Sequence, residues 1–385
     1  MPVTETASST LYFGPWYRKS PYFEATLRYG CSAFDIYNHT YLPSYYADPV
    51  VEYWHLLEHV TIWDVGVERQ VEITGPDAFA FTGLLTPRDL STCQVGQCKY
   101  VVITDQDGGI INDPVLLRLA EKHFWLSAAD SDLLLWARGV AVHSGMDVVI
   151  REPDVSPLQV QGPRSREVIQ ELFGDRATTL RYYFCLETEV AGIPVVVSRT
   201  GWTGEVGYEI YLRDSSRGDE LWERVMAAGK PHEIRPIAPC EARRIEAGIY
   251  NYRSDMTLEN NPFEVTGLER LVDLGKDGDF IGREALARIK DEGVKRRLVG
   301  VMIAGEGMTV ELAEPWPVLD RGQVVGRVTD AIFSPRLDAN IGYAWVPIEL
   351  SQPGTRIEIA SPAGRAEAAV SVLPFLDPKK HIPSA

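Results

Sequence analysis

Between about residue 50 and residue 290 the apolar positions follow two alternating spacings. Where they recur at every second position a half-buried strand is expected, and where they recur every three to four positions an amphipathic helix is expected. The first such helix is predicted over residues 51–60. A strand follows at Gln70–Thr74, where Val71 and Ile73 alternate with polar neighbours, and Gly75-Pro76-Asp77 breaks it. Asp77 is placed to cap a helix over Ala78–Leu85, because its carboxylate can accept from the free N–H groups of the first turn. Residues 100–104 and 110–119 read as a hairpin around Asp105-Gln106-Asp107-Gly108-Gly109, with both glycines expected to supply positive φ. A second hairpin joins residues 187–190 to 194–198 through Ala191-Gly192, and a strand follows at Gly207–Leu212. Helical spacing returns at about 216–228, 240–250 and 282–291. Beyond Lys290-Asp291-Glu292-Gly293, residues 297–377 carry only short β patterns separated by Gly, Pro and Asp. A boundary is therefore expected near residue 293, dividing a region over 1–293, itself of two subdomains, from one over 294–385.

The length of 385 residues, 45% of them hydrophobic, fits two or three packed domains. A formal net charge of -16 opposes attraction to nucleic acid or anionic bilayers, and the largest basic run is only Lys295-Arg296-Arg297. The chain has no stretch of 18 apolar residues, and its first 30 residues show no basic segment followed by a long apolar one. The expected location is the cytoplasm, with no membrane partner. Five cysteines, Cys31, Cys93, Cys98, Cys185 and Cys240, are widely spread without a C-x-x-C and read as small buried thiols. His55-Leu56-Leu57-Glu58-His59 spells H-x-x-E-H, which can place two zinc ligands on one helical face. With no third ligand in view, the polar side of a helix is the plainer reading, and no metal is expected.

The candidate chemistry gathers around a few carboxylates and aromatics. In the strand Gly207–Leu212, Glu209 and Tyr211 share one face, which fits either a solvent-facing amphipathic strand or the wall of a site. The preceding glycine-rich loop with Trp202 could bring backbone close to a flat ligand. Asp113 precedes Pro114, so its backbone should be extended; it serves either a turn or a site. Arg243, Arg244, Glu246 and Asp255 read as a structural ion-pair network. Trp63, Tyr37, His39, Trp202 and Tyr211 offer aromatic faces to a sulfonium or ammonium group. The fingerprints of dinucleotide binding, the P-loop, serine hydrolases and common zinc hydrolases are missing. On these residues alone the chain is an α/β-rich enzyme or binding protein.

Several motifs, taken in order and spacing, go further. Gly108-Gly109-Ile110-Ile111-Asn112-Asp113, Gln161-Gly162-Pro163, Thr200-Gly201-Trp202-Thr203-Gly204-Glu205 with Gly207-Tyr208-Glu209-Ile210, and Arg244-Ile245-Glu246-Ala247-Gly248 resemble the glycine-cleavage T-protein family of tetrahydrofolate-dependent enzymes. The resemblance implies an α+β, multidomain cloverleaf ending in a β-barrel. Within the family, Ser20-Pro21-Tyr22-Phe23, Tyr37-Asn38-His39-Thr40, Trp63-Asp64-Val65, Glu68-Arg69-Gln70-Val71-Glu72-Ile73, Asn112-Asp113-Pro114 and Asn261-Pro262-Phe263-Glu264 look more like the branch that demethylates dimethylsulfoniopropionate. Cys240 and Glu241 stand where the glycine-cleavage enzymes usually carry an Arg-Asp pair, whereas Gly204-Glu205 resembles those enzymes more than the demethylase.

By this resemblance Asp113 and Glu209 grip the pterin, Tyr100 and Ser127 line the folate site, and Trp202 and Tyr211 border the methyl donor, with Tyr37 and His39 beside it. Asp113, Tyr211 and Trp202 are then the expected catalytic set, with tetrahydrofolate as methyl acceptor and a small molecule as donor. Arg69, Lys99 and His39 are candidates to hold the donor's carboxylate. A betaine or aryl methyl ether donor, a glycine-cleavage-type aminomethyltransferase and a folate-binding regulatory protein stay open, and the sequence leaves room for a homodimer.

Overall fold

The computed structural model describes residues 13–308, 312 and 314–385. Two mixed-order sheets and a barrel organise it, with helices on their outer faces. The first sheet is antiparallel, in the order Val149–Arg151, Gln70–Thr74, His123–Ser127, Val115–Ala120, Gln97–Tyr100. On its outer face Val71, Ile73, Phe124 and Leu126 pack against the helices Ala78–Leu85 and Leu133–Ser144. The second sheet runs Cys185–Val190, Ile193–Ser198, Gly207–Leu212, Ser156–Gln161, Thr61–Asp64, Arg235–Pro236, antiparallel except for the last pairing. Its outer face, with Leu158, Val160, Val195, Val197, Tyr208 and Ile210, is covered by Val168, Leu221, Trp222 and Val225 of the helices Ser165–Phe173 and Gly218–Gly229.

The inner faces meet. Val196 and Tyr211 of the second sheet pack on Cys98, Leu117, Leu119 and Trp125 of the first. This changes the reading of two strands. Gln70–Thr74 is not half-buried: Gln70 and Glu72 are enclosed along with Val71 and Ile73, because their side faces the second sheet. The polar side of Gly207–Leu212 likewise faces the first sheet rather than solvent, and all six residues are buried. Polarity in these strands marks an internal surface between two sheets.

Local expectations met with mixed results. Ala78–Leu85 is helical, but Asp77 does not cap it; its carboxylate accepts from the Asp147 N–H at 2.8 Å, tying the turn to the next segment. The 187–198 hairpin turns through Ala191 and Gly192, both at positive φ. The 100–119 hairpin divides: Gln97–Tyr100 joins the first sheet, while Ile103–Thr104 pairs separately with Ile110–Asn112. Only Gly108 of its two glycines has positive φ; at Gly109 a Cβ would lie 2.3 Å from the Leu258 carbonyl, so close approach excludes a side chain there.

From Arg296 onward six strands close a barrel, in the order Arg296–Ile303, Ala339–Pro347, Gln323–Ser334, Trp316–Asp320, Arg356–Ser361, Gly364–Ser371. Val301, Val318, Val328, Ala344 and Ile359 fill it. A separate cluster of Val102, Ile110, Ile245, Tyr250, Leu298 and Tyr343 joins the barrel to the first sheet's edge.

Candidate active site between the two sheets

A cavity of about 670 Å³ opens where the inner faces of the two sheets meet the segment after the barrel. Strand register sets its polar floor: Gln159 and Ser198 both stand opposite Glu209, and Gln70 stands opposite Ser127. Asp113 and Glu68 line the cavity. Asp113 Oδ2 accepts from the Tyr100 hydroxyl at 2.8 Å, whereas its Oδ1 is buried without a partner among the described residues. Burial pushes the Asp113 carboxyl up to about 7, against the opposing Tyr100 bond. Glu68 Oε2 accepts from Ser127 Oγ at 3.0 Å, and burial, followed by the charge of Glu209, pushes it up to about 8.

Glu209 is 4% exposed and sits behind the cavity surface. Gln159 Nε2 donates to its Oε1 at 2.8 Å; the Tyr211 hydroxyl at 2.9 Å and the Thr200 hydroxyl donate to Oε2. Burial raises its pKa and these bonds oppose the rise. Tyr211, expected beside the donor, is fully buried behind the wall, with its ring 6.1 Å from that of Trp125 and its hydroxyl committed to Glu209. Tyr211 therefore does not line the cavity.

The loop before that strand brings Trp202 into the cavity wall, with its ring 5.3 Å from the guanidinium of Arg244. Arg244 is buried and paired with Glu241, Asp255 and Asp330, which ties the helix Glu241–Glu246 to the barrel. Glu205 is taken up in a similar way: Arg243 Nε donates to it at 2.7 Å. The Gly204-Glu205 feature is thus part of an internal ion pair.

Tyr37 also lines the cavity, but His39 does not. Asn38 and His39 both take positive φ in the tight turn between Ala33–Tyr37 and Thr40–Tyr45, which sends Tyr37 inward and leaves His39 exposed, 3.8 Å from Asp132. The expectation of His39 at the donor is corrected on that ground. Arg69 is bound to Glu152 through Nε at 3.0 Å and is likewise away from the cavity, whereas Lys99 lines it. In the H-x-x-E-H run, His55 Nε2 bonds the Glu233 carbonyl at 2.8 Å, His59 stacks on His55, and Glu58 is exposed.

A second, basic cluster lines the same cavity: Arg88, Lys99, Arg270 and Lys380. Each donates to a neutral oxygen, on Tyr100, Thr92, Gly267 and Ala247 respectively. Burial lowers the pKa of Arg88, Lys99 and Lys380, and the neighbouring cations lower it further, so these groups repel one another. Sequence reasoning missed Arg88, Arg270, Lys380 and Gln159 altogether and gave Glu68 no role. Only the register of Ser156–Gln161 against Gly207–Leu212 could have singled out Gln159, and no local pattern marks the cations.

The matching of known families agrees with this architecture. Residues 22–276 match the GCVT N-terminal domain, and residues 296–377 match the glycine cleavage T-protein C-terminal barrel domain. The chain belongs to the glycine-cleavage T-protein family. Among its relatives in that family, the dimethylsulfoniopropionate demethylase of Ruegeria pomeroyi is 38% identical over 92% of this chain and 96% of its own length. An aminomethyltransferase of Symbiobacterium thermophilum is 31% identical over 93% and 97%. The fold matches the crystal structure of the glycine cleavage system aminomethyltransferase T of Bartonella henselae with a TM-score of 0.84, at 23% identity, over 93% of this chain and 98% of that one. As a member of this family, the chain is a folate-dependent methyltransferase with tetrahydrofolate as the one-carbon carrier.

Proposed function

We propose that this enzyme demethylates dimethylsulfoniopropionate, moving one methyl group to N5 of tetrahydrofolate and leaving methylthiopropionate. The observation that carries the reading is a single cavity holding an acidic, aromatic-walled floor and a separate cluster of cations that, among the described residues, bond only neutral oxygens. Tetrahydrofolate fits this arrangement. A reduced pterin offers ring N–H donors, which the unpartnered Oδ1 of Asp113 is placed to accept, and Tyr100 fixes the orientation of that carboxylate. Glu209 supports the floor from behind through Gln159 and Tyr211. Arg88, Lys99, Arg270 and Lys380 suit the carboxylates of a glutamyl group.

When bound, tetrahydrofolate supplies the ring nitrogen that takes the methyl carbon: the C–S bond breaks, its electron pair stays on a neutral thioether, and the nitrogen's proton is released. The protein's task is then alignment and exclusion of water. Tyr37 and Trp202 present aromatic faces to a cationic donor. The leaving thioether needs no acid, which suits a floor whose carboxyls are engaged in holding ligands. Likeness to the Ruegeria pomeroyi demethylase over nearly the whole chain supports the choice of donor.

The test is a comparison of donors with purified protein and tetrahydrofolate: dimethylsulfoniopropionate, glycine betaine and an aryl methyl ether. 5-Methyl-tetrahydrofolate should form from the first, together with methylthiopropionate, at a higher kcat/KM than from either of the others. Faster turnover of either alternative would replace the proposed donor.

A further inference from the structure

Glu68 lies in the floor with no cation paired to it among the described residues. Ser127 Oγ fixes its carboxylate at 3.0 Å, and Gln70 Nε2 fixes its carbonyl at 2.7 Å, so the side chain is held at the cavity surface. The titratable groups that act on it come from three other segments. They are Glu209 and Tyr211 of Gly207–Leu212, Asp113 after Ile110–Asn112, and Tyr37 at the end of Ala33–Tyr37. All are acids. None of the three carboxyl groups has an ion-pair partner among the described residues; their bonds are to hydroxyls and amides. A neutral pterin satisfies acceptors but brings no positive charge, so burial keeps Glu68 protonated until a second ligand brings a cation beside it.

We infer that Glu68 is the counter-charge of the methyl donor: with Tyr37 and Trp202 it binds the positive end of an onium compound, a sulfonium or quaternary ammonium, and selects such donors over neutral methyl ethers. The inference rests on the reading of this cavity as a methyl-transfer site. Because the donor's charge disappears during transfer, this contact is strongest before reaction. Loss of Glu68 therefore raises the donor's KM with little fall in kcat.

Calorimetric titration of wild-type and Glu68→Gln protein, without folate, tests it directly. The ligands are dimethylsulfoniopropionate and methylthiopropionate, its neutral-sulfur counterpart, at about pH 7 in two buffers of different ionisation enthalpy. A carboxyl with a pKa of about 8 is mostly protonated there, so a cation beside it should expel up to about one proton. Wild-type protein should release that proton with the sulfonium alone. Glu68→Gln should abolish the release and weaken sulfonium binding by about tenfold or more, leaving methylthiopropionate unaffected. Glu68→Asp, which keeps the charge, should retain part of the affinity, and a melting temperature no lower than that of wild type separates the effect from misfolding. Sulfonium affinity and proton release identical in wild type and Glu68→Gln would overturn the role of Glu68 while leaving the donor reading intact. Wild-type protein that does not bind the sulfonium would overturn both.

Discussion

Asp113 concentrates the folate side of the account in one atom, its unpartnered Oδ1. Asp113→Ala should weaken tetrahydrofolate binding by about tenfold to a hundredfold, the scale of losing charge-assisted hydrogen bonds, without lowering the melting temperature. Unchanged affinity would remove Asp113 from the site. The same burial has a consequence for stability. Asp113 and Glu68 hold protons up to about pH 7 and 8 in the folded chain, whereas their ordinary values are 3.8 and 4.5. The folded state therefore binds more protons than the unfolded one across that window, and stability contributed by these groups falls as pH rises through it. Asp113→Asn combined with Glu68→Gln should raise the melting temperature more at about pH 9 than at about pH 5; an equal gain at both would contradict the assignment. Asp113 was legible in the sequence because Pro114 restricts its backbone and a motif surrounds it. Glu68 was not, since its importance comes from Ser127 and Glu209, which lie 59 and 141 residues away in the chain.

At the level of elements, period-two and helical spacing located several strands and helices, and Gly207–Leu212 and Ala78–Leu85 have the expected bounds, but the strands Thr61–Asp64, His123–Ser127 and Ser156–Gln161 and the helices Leu133–Ser144 and Ser165–Phe173 went unplaced. Alternation does not say what the polar side of a strand faces. Glu209 and Tyr211 do share a face, but that face meets another sheet, so the polar residues are buried and bonded to each other. The helix Glu241–Glu246 shows the converse, a charged segment that is structural. Arg244 joins it to Asp255 and to Asp330 of the barrel, and its guanidinium lies beside Trp202. Arg244→Met should leave Asp255 buried and unanswered, costing about 3–5 kcal/mol of stability in urea denaturation. A loss below about 1 kcal/mol would mean that the network is relaxed by water.

The whole molecule completes the cavity by folding three regions together, and this is the level at which sequence reading was weakest. Lys380 lies beyond the barrel, Arg270 between the sheets and the barrel, and Arg88 in the first sheet's connections, yet they converge on one cavity. No spacing in a chain of net charge -16 announces such a cluster. Arg270→Gln with Lys380→Gln should weaken tetrahydrofolate binding and flatten its salt dependence, while a tetrahydropterin lacking the glutamyl group binds as before. Equal weakening of both ligands would move the cations away from the glutamyl end. The central claim is transfer of one methyl group between two small molecules in this cavity, and it is tested most directly by tracing that group. Purified protein is incubated anaerobically with tetrahydrofolate and dimethylsulfoniopropionate bearing deuterated S-methyl groups, and the products are followed by mass spectrometry. The account predicts trideuteromethyl-tetrahydrofolate and S-trideuteromethyl-labelled methylthiopropionate in equal amounts. Folate that binds but stays unlabelled, or thioether formed without labelled folate, would contradict it.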